Sequence, residues 1–157
     1  MRTNIEAVLT PIWLLALSIL VTIYLAWGFY YFDVDWMHLL NYVVIGKSDL
    51  WHNFNVLMRY LTFPWVGRLA MPDFPSESGL KHFHDVKWLF HLVQILVVLL
   101  AYPAVSFLCR NVKKGTFGLY RRLYLSLAVL PILIGVVGFF LGFDHFFILF
   151  HEALFPG

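Results

Sequence analysis

The chain is 157 residues long with a mass of 18.4 kDa; 61% of its residues are hydrophobic and only 13% are charged. A soluble domain carries about twice that charged fraction, so lipid has to cover the surplus apolar surface. A net charge of +2 excludes the strong basic field that nucleic-acid binding needs. The single cysteine, Cys109, excludes an internal disulfide framework and any multi-cysteine metal site. It ends a hydrophobic run and is expected to be a buried, inert thiol.

Residues 1–32 read as a cytoplasmic N-terminus and a first transmembrane helix. Positions 7–32 hold no charged residue, and a bilayer core takes roughly 20 apolar residues in a helix. Pro11 is expected in the first turn, where a missing amide proton costs little. The apolar stretch is too long for a cleaved leader, so the span is read as retained.

Residues 33–87 are too many for a simple connection and are expected to form an extracellular cap. Trp36, Tyr42, Trp51, Phe54, Tyr60 and Trp65 are interleaved there with polar residues, which suits headgroup depth, where one edge is wet and one is apolar. The pattern predicts short amphipathic helices over 37–44 and 50–61. Pro64, Pro72 and Pro75 break the chain, and Ser76 or Ser78 can then cap a helix that runs on into the second span.

That second span covers 88–109, with Pro103 in its middle and His91 and Gln94 near its start. A polar pair there is expected to face protein or headgroups rather than lipid. The loop 110–122 carries Arg110, Lys113, Lys114, Arg121 and Arg122 and no acidic residue. A short loop so basic stays in the cytoplasm, which puts 33–87 and 144–157 outside. The third span, 123–143, contains Pro131, and its Gly135 and Gly138 permit close helix approach. Residues 144–157 are too few to span and read as an extracellular interfacial segment. The expected fold is an all-α membrane protein, a polytopic transmembrane helical bundle with three spans present and an extracellular helical cap.

Seven histidines in so apolar a chain draw the search for chemistry. In Lys81-His82-Phe83-His84-Asp85-Val86-Lys87, a helix puts His82 and Asp85 on one face, and His84, Lys87 and His91 on another. By helical rise His82 stands ~9 Å above the start of the second span. After the third span, Asp144 and His151 fall on one stripe, seven residues apart. Both clusters are expected at the outer face. Three readings stand on residues alone: interfacial hydrogen-bonding histidines, a catalytic histidine site, or a metal site. Metal ligation needs about three or four converging ligands, and helical geometry turns His82 and His84 ~200° apart. No serine elbow, carboxylate pair, Walker loop or dinucleotide fingerprint occurs.

Two elements resemble a known family. The first is Leu69-Ala70-Met71-Pro72-Asp73-Phe74, then Ser76, Glu77 and Gly79, leading to an H-F-x-D-V-K element at His82, Phe83, Asp85, Val86 and Lys87. The second is the tail with Phe143, Asp144, Phe146, Phe147, Phe150, His151 and Glu152. Together they resemble the bacterial lipoprotein intramolecular transacylases. The resemblance implies four transmembrane helices, an extracellular cap, and two histidines at the boundary between cap and membrane. It also implies the reaction: the sn-2 acyl chain of a diacylglyceryl lipoprotein moves to the α-amine of its N-terminal cysteine, giving the lyso-form. The histidines carry over to His82 and His151 as catalytic residues, while His84 and His145 stand at variable positions.

Asp85 or Asp144 is expected to orient an imidazole, and Lys87 to stabilise an oxyanion or hold a headgroup phosphate. Phe83 and Phe147 are expected among the aromatics lining the substrate site. Relatives continue into a final hydrophobic span, so a chain ending at Gly157 is expected to be truncated or a short member. No cofactor, metal or nucleic acid is implied; the partners expected are the diacylglyceryl lipoprotein and membrane lipid. The competing reading is a non-catalytic assembly or binding partner on the same scaffold.

Overall fold

Long apolar runs leave the backbone few ways to satisfy its polar groups in lipid, and an α-helix is the one open to single segments. The computed structural model describes residues 2–71 and 76–154. Helix α1 spans Arg2–Trp36, α2 Lys47–Thr62, α3 Glu77–Lys114, α4 Arg121–Leu141 and α5 Phe143–Leu154, with 3-10 turns at Leu39–Asn41 and Phe117–Tyr120. The protein is all-α, with no strand among the described residues. Pro72, Asp73, Phe74 and Pro75 of the first motif region lie outside those residues, as does Gly157.

Asn4–Trp36, Gly79–Lys114 and Phe117–Leu141 are long and apolar enough to cross a membrane. Protein buries no more than 11% of their most apolar windows, so lipid must cover the remainder. That overturns the expectation for Cys109, which is exposed. Hydrophobic sequestration drives a thiol inward from water, but there is no such drive where the surrounding solvent is hydrocarbon.

The contacts divide the chain into two compact units, residues 15–98 and the remainder. In the latter, α1 begins at Arg2, so Pro11 lies in the helix interior rather than in the first turn. Upstream of that proline, Glu6, a buried carboxylate, accepts an ion-paired hydrogen bond from Arg110 of α3. The Thr10 hydroxyl donates to the Glu6 carbonyl at 2.7 Å. At the far end of α3, Asn111 donates to the Phe107 carbonyl at 2.9 Å and accepts from the Thr116 hydroxyl at 2.7 Å. Phe107 is fully buried and meets Tyr120 edge to face, 4.9 Å between centroids.

Unit 15–98 holds a core of Met58, Tyr60, Leu61 and Leu69, packed on Ile23 and Trp27 of α1 and on Phe83, Val86 and Phe90 of α3. Helix α2 docks on α1 through rings: Tyr30 stacks on Phe54 at 3.7 Å, and the Trp27 indole N–H donates to Asn55 Oδ1 at 2.7 Å. The helix expected over 50–61 is part of α2. The one expected over 37–44 is not formed. Instead α1 continues to Trp36 and His38 takes the left-handed conformation, φ 51° and ψ 38°, leaving only the short 3-10 turn. A left-handed residue just past a helix end satisfies its last carbonyls and reverses the chain.

Candidate functional site

The start of α3 is set by Ser76, whose hydroxyl oxygen accepts from the Gly79 N–H at 3.2 Å. This is an N-cap, and it fixes the register of everything downstream. From there one uninterrupted helix carries the first motif into the second apolar run. His82 is half-buried, its ring 6.0 Å from that of Phe83, which packs against the core of this unit. Asp85 is half-buried one turn further on.

The other face of α3 has a different character. His84 is exposed, and its Nε2 accepts from the Trp88 indole N–H at 3.1 Å. A ring nitrogen that accepts is unprotonated, so neutral His84 carries its proton on Nδ1. Lys87 donates to the Val66 carbonyl and holds its Nζ 4.3 Å above the centre of the Tyr60 ring. His91 follows one turn later, its Nε2 buried without a hydrogen-bond partner. Gln94 donates to the Thr62 carbonyl at 3.0 Å, so this polar pair does face protein as expected. His84, Lys87, Trp88 and His91 join Tyr60, Pro64 and Gly67 around a cavity of about 330 Å³.

Helix α5 presents the second motif. Gly142 ends α4 with φ 79° and ψ 141°, and Phe146 of α5 then packs directly over Gly138. Asp144 is exposed in the first turn, where a carboxylate complements the helix dipole. His151 lies half-buried in the last turn, with its ring 5.8 Å from that of Phe147. Twelve residues rise only ~18 Å, so α5 cannot cross a bilayer. Phe147, Ile148, Leu149 and Phe150 are nevertheless all exposed, as on a helix that lies in the interface.

The sequence-predicted residues are thus sorted. Lys87 is brought together with His84 and His91, and Phe147 with His151. Asp144 and His151 stand at opposite ends of α5, ~10.5 Å apart along its axis by helical rise. Tyr60, the Val66 carbonyl and Gly67 were not singled out from sequence; only the spacing of His84, Lys87 and His91 pointed to that face. Among the described residues no three His, Cys, Asp or Glu side chains group as a metal ion would require.

Fold and site together define a multi-pass α-helical membrane protein that carries histidines near the start of its second apolar helix and in the short helix that follows the third. The family model of the lipoprotein intramolecular transacylase Lit matches residues 4–157, and the chain belongs to that family. The structure of membrane-integral Lit from Bacillus cereus is similar at a TM-score of 0.78 and 25% identity, with 99% of this chain and 72% of that chain covered. A second Bacillus cereus Lit structure, carrying a histidine-to-arginine mutation, shares the fold at a TM-score of 0.72 and 23% identity, with 99% and 70% covered. Among curated proteins none matches. The protein is therefore a membrane acyltransferase of the lipoprotein transacylase family, and the non-catalytic reading is not favoured.

Proposed function

We propose that the protein uses His82 and His151 as the acid–base groups of an O-to-N acyl transfer within a lipoprotein substrate at the outer face of the cell membrane. The observation that carries the reading is the family match across residues 4–157, which includes both histidine motifs. The substrate's α-ammonium loses a proton and its nitrogen lone pair attacks the sn-2 ester carbonyl. A C–N bond forms and the ester C–O bond breaks; the nitrogen gives up a second proton, which ends on the departing glyceryl oxygen as a free hydroxyl, while the first proton of the ammonium goes to solvent. The electron count is unchanged, so the step needs no oxidant, reductant or nucleotide.

Imidazole is suited to both transfers because it titrates near neutrality and can accept a proton at one stage and return it at another. The attack is intramolecular, so its advantage comes from holding amine and ester in an attacking geometry. Phe83 and Phe147, each beside one of the two histidines, suit the apolar substrate. Asp85, one helical turn from His82 on the same face of α3, is the carboxylate proposed to orient an imidazole, since Asp144 stands at the opposite end of α5 from His151. The basic residues that end α3 and begin α4, Arg110, Lys113, Lys114, Arg121 and Arg122, support a cytoplasmic location for that connection, and with it an outer location for both histidines.

The test is mass spectrometry of a lipoprotein N-terminal peptide from cells with and without this chain. An acyl group on the α-amine, with a free glyceryl hydroxyl and unchanged total mass, is expected only when the chain is present. An unmodified diacylglyceryl peptide in both would remove the reading.

A further inference from the structure

We propose that the cavity on the opposite face of α3 from His82 is a separate site that takes a phosphate group, supplied by a phospholipid headgroup or by free phosphate. At 100° per residue, positions 84, 87, 88 and 91 lie roughly 140–240° around the helix from His82. Of the two roles expected for Lys87, holding an oxyanion or a headgroup phosphate, the second fits a face turned away from the proposed base His82.

Several independent features call for an anion. The Lys87 ammonium has only neutral partners, a carbonyl and an aromatic face, and makes no ion pair among the described residues. No carboxylate lines the cavity. Those two contacts also hold the side chain still, so the charge is already in position when a ligand arrives. His91 Nε2 lies buried with no partner, and the proton on His84 Nδ1 is a further donor. Ammonium and imidazole donors around one concavity suit a phosphate oxygen better than a cation or a purely apolar ligand. The volume falls at the low end of small-ligand sites, roughly 300–1,000 Å³, enough for a headgroup but not for acyl chains. Access and depth fit a lipid source. Trp88 is 67% exposed at the mouth and begins the apolar run, where indoles mark the membrane–water boundary.

The test uses the full chain, purified and stripped of lipid in a neutral detergent. Phosphatidylglycerol is titrated in while thermal stability and bound lipid are measured. Parallel titrations use diacylglycerol of the same chains, which lacks phosphate, and inorganic phosphate. A saturable rise in Tm with phosphatidylglycerol, absent with diacylglycerol, is expected. A response to inorganic phosphate alone upholds the phosphate site and assigns it to a free anion. Lys87→Met and His91→Phe should each weaken binding by about tenfold or more, whereas Lys87→Arg should stay within a few-fold of wild type. His91→Phe keeps the contacts of Lys87, so it decides the matter if Lys87→Met fails to fold. Equal responses to diacylglycerol and phosphatidylglycerol, or wild-type affinity in His91→Phe, would overturn the proposal.

Discussion

The ring of Phe146 lies over Gly138, where a Cβ would sit 3.2 Å from Phe146 Cγ and 3.3 Å from both Cδ atoms. This close approach joins α4 to α5 and so fixes the helix that carries His151. Gly138→Ala should force the ring back by a few tenths of an ångström and lower Tm slightly. Gly138→Leu should displace α5, costing about 1–3 kcal/mol as overpacking does. Thermal unfolding of the purified variants, read beside lyso-lipoprotein formation, checks both. A Leu variant with unchanged Tm and full activity would show that the contact does not hold α5.

The turn between the same two helices depends on Gly142, whose φ of 79° with ψ of 141° is a conformation that a side chain makes costly. Nothing lies within 4 Å of where its Cβ would be, so the penalty is conformational and not steric crowding by neighbours. Gly142→Ala is expected to destabilise by about 1–3 kcal/mol. The larger Gly142→Val should add further strain in the same direction. The comparison to make is with Gly135→Ala in the interior of α4, which has open space around it, and should change Tm little.

The spans and the two motifs were legible because they are local: run length, charge and helical spacing stand in the sequence itself. Three features were not. His38 ends the reach of α1 by adopting a left-handed conformation that an ordinary non-glycine residue seldom takes, so 37–44 read as a helix. Cys109 read as buried under a rule that belongs to aqueous solvent, yet it is exposed. The partners of Lys87 come from Tyr60 and Val66, more than twenty positions upstream. Only the packing of α2 and its following loop against α3 brings them in, and no spacing rule reports that. The same limit explains why His84, Lys87 and His91 were recognisable as one face while the cavity they line was not.

Topology can be tested with single cysteines, and the native Cys109 dictates the background. Cys109→Ser is introduced first, so that each added cysteine is the single thiol of the chain. In that background, a cysteine replacing Lys114, at the end of α3, should resist a membrane-impermeant thiol reagent in intact cells and react after permeabilisation. One replacing the exposed Glu77 should react in both conditions. The inverse pattern would place the basic loop outside and remove the outer-face assignment of both histidine motifs.

The two histidines give the sharpest prediction. His82→Ala and His151→Ala should each abolish transacylation, while His145→Ala and His52→Ala, at exposed positions outside the motifs' histidines, should keep most of it. General acid–base groups contribute factors of roughly a hundred to ten thousand, so the two classes should separate without overlap. If the imidazoles work as a unit, the double variant should lose little beyond either single one, because removing one member already disables the step. Structural loss has to be distinguished from chemical loss. His82 is half-buried beside Phe83, and Phe83 packs against the core of its unit, so a void there can lower protein level. His82→Gln and His151→Gln address this, since each fills much of the space and keeps hydrogen bonding but cannot exchange a proton near neutrality. Inactive glutamine variants at wild-type abundance and Tm mean that the lost function is proton transfer. A well-folded His82→Gln protein that still makes the lyso-form at near-normal rate would show that His82 is not the base.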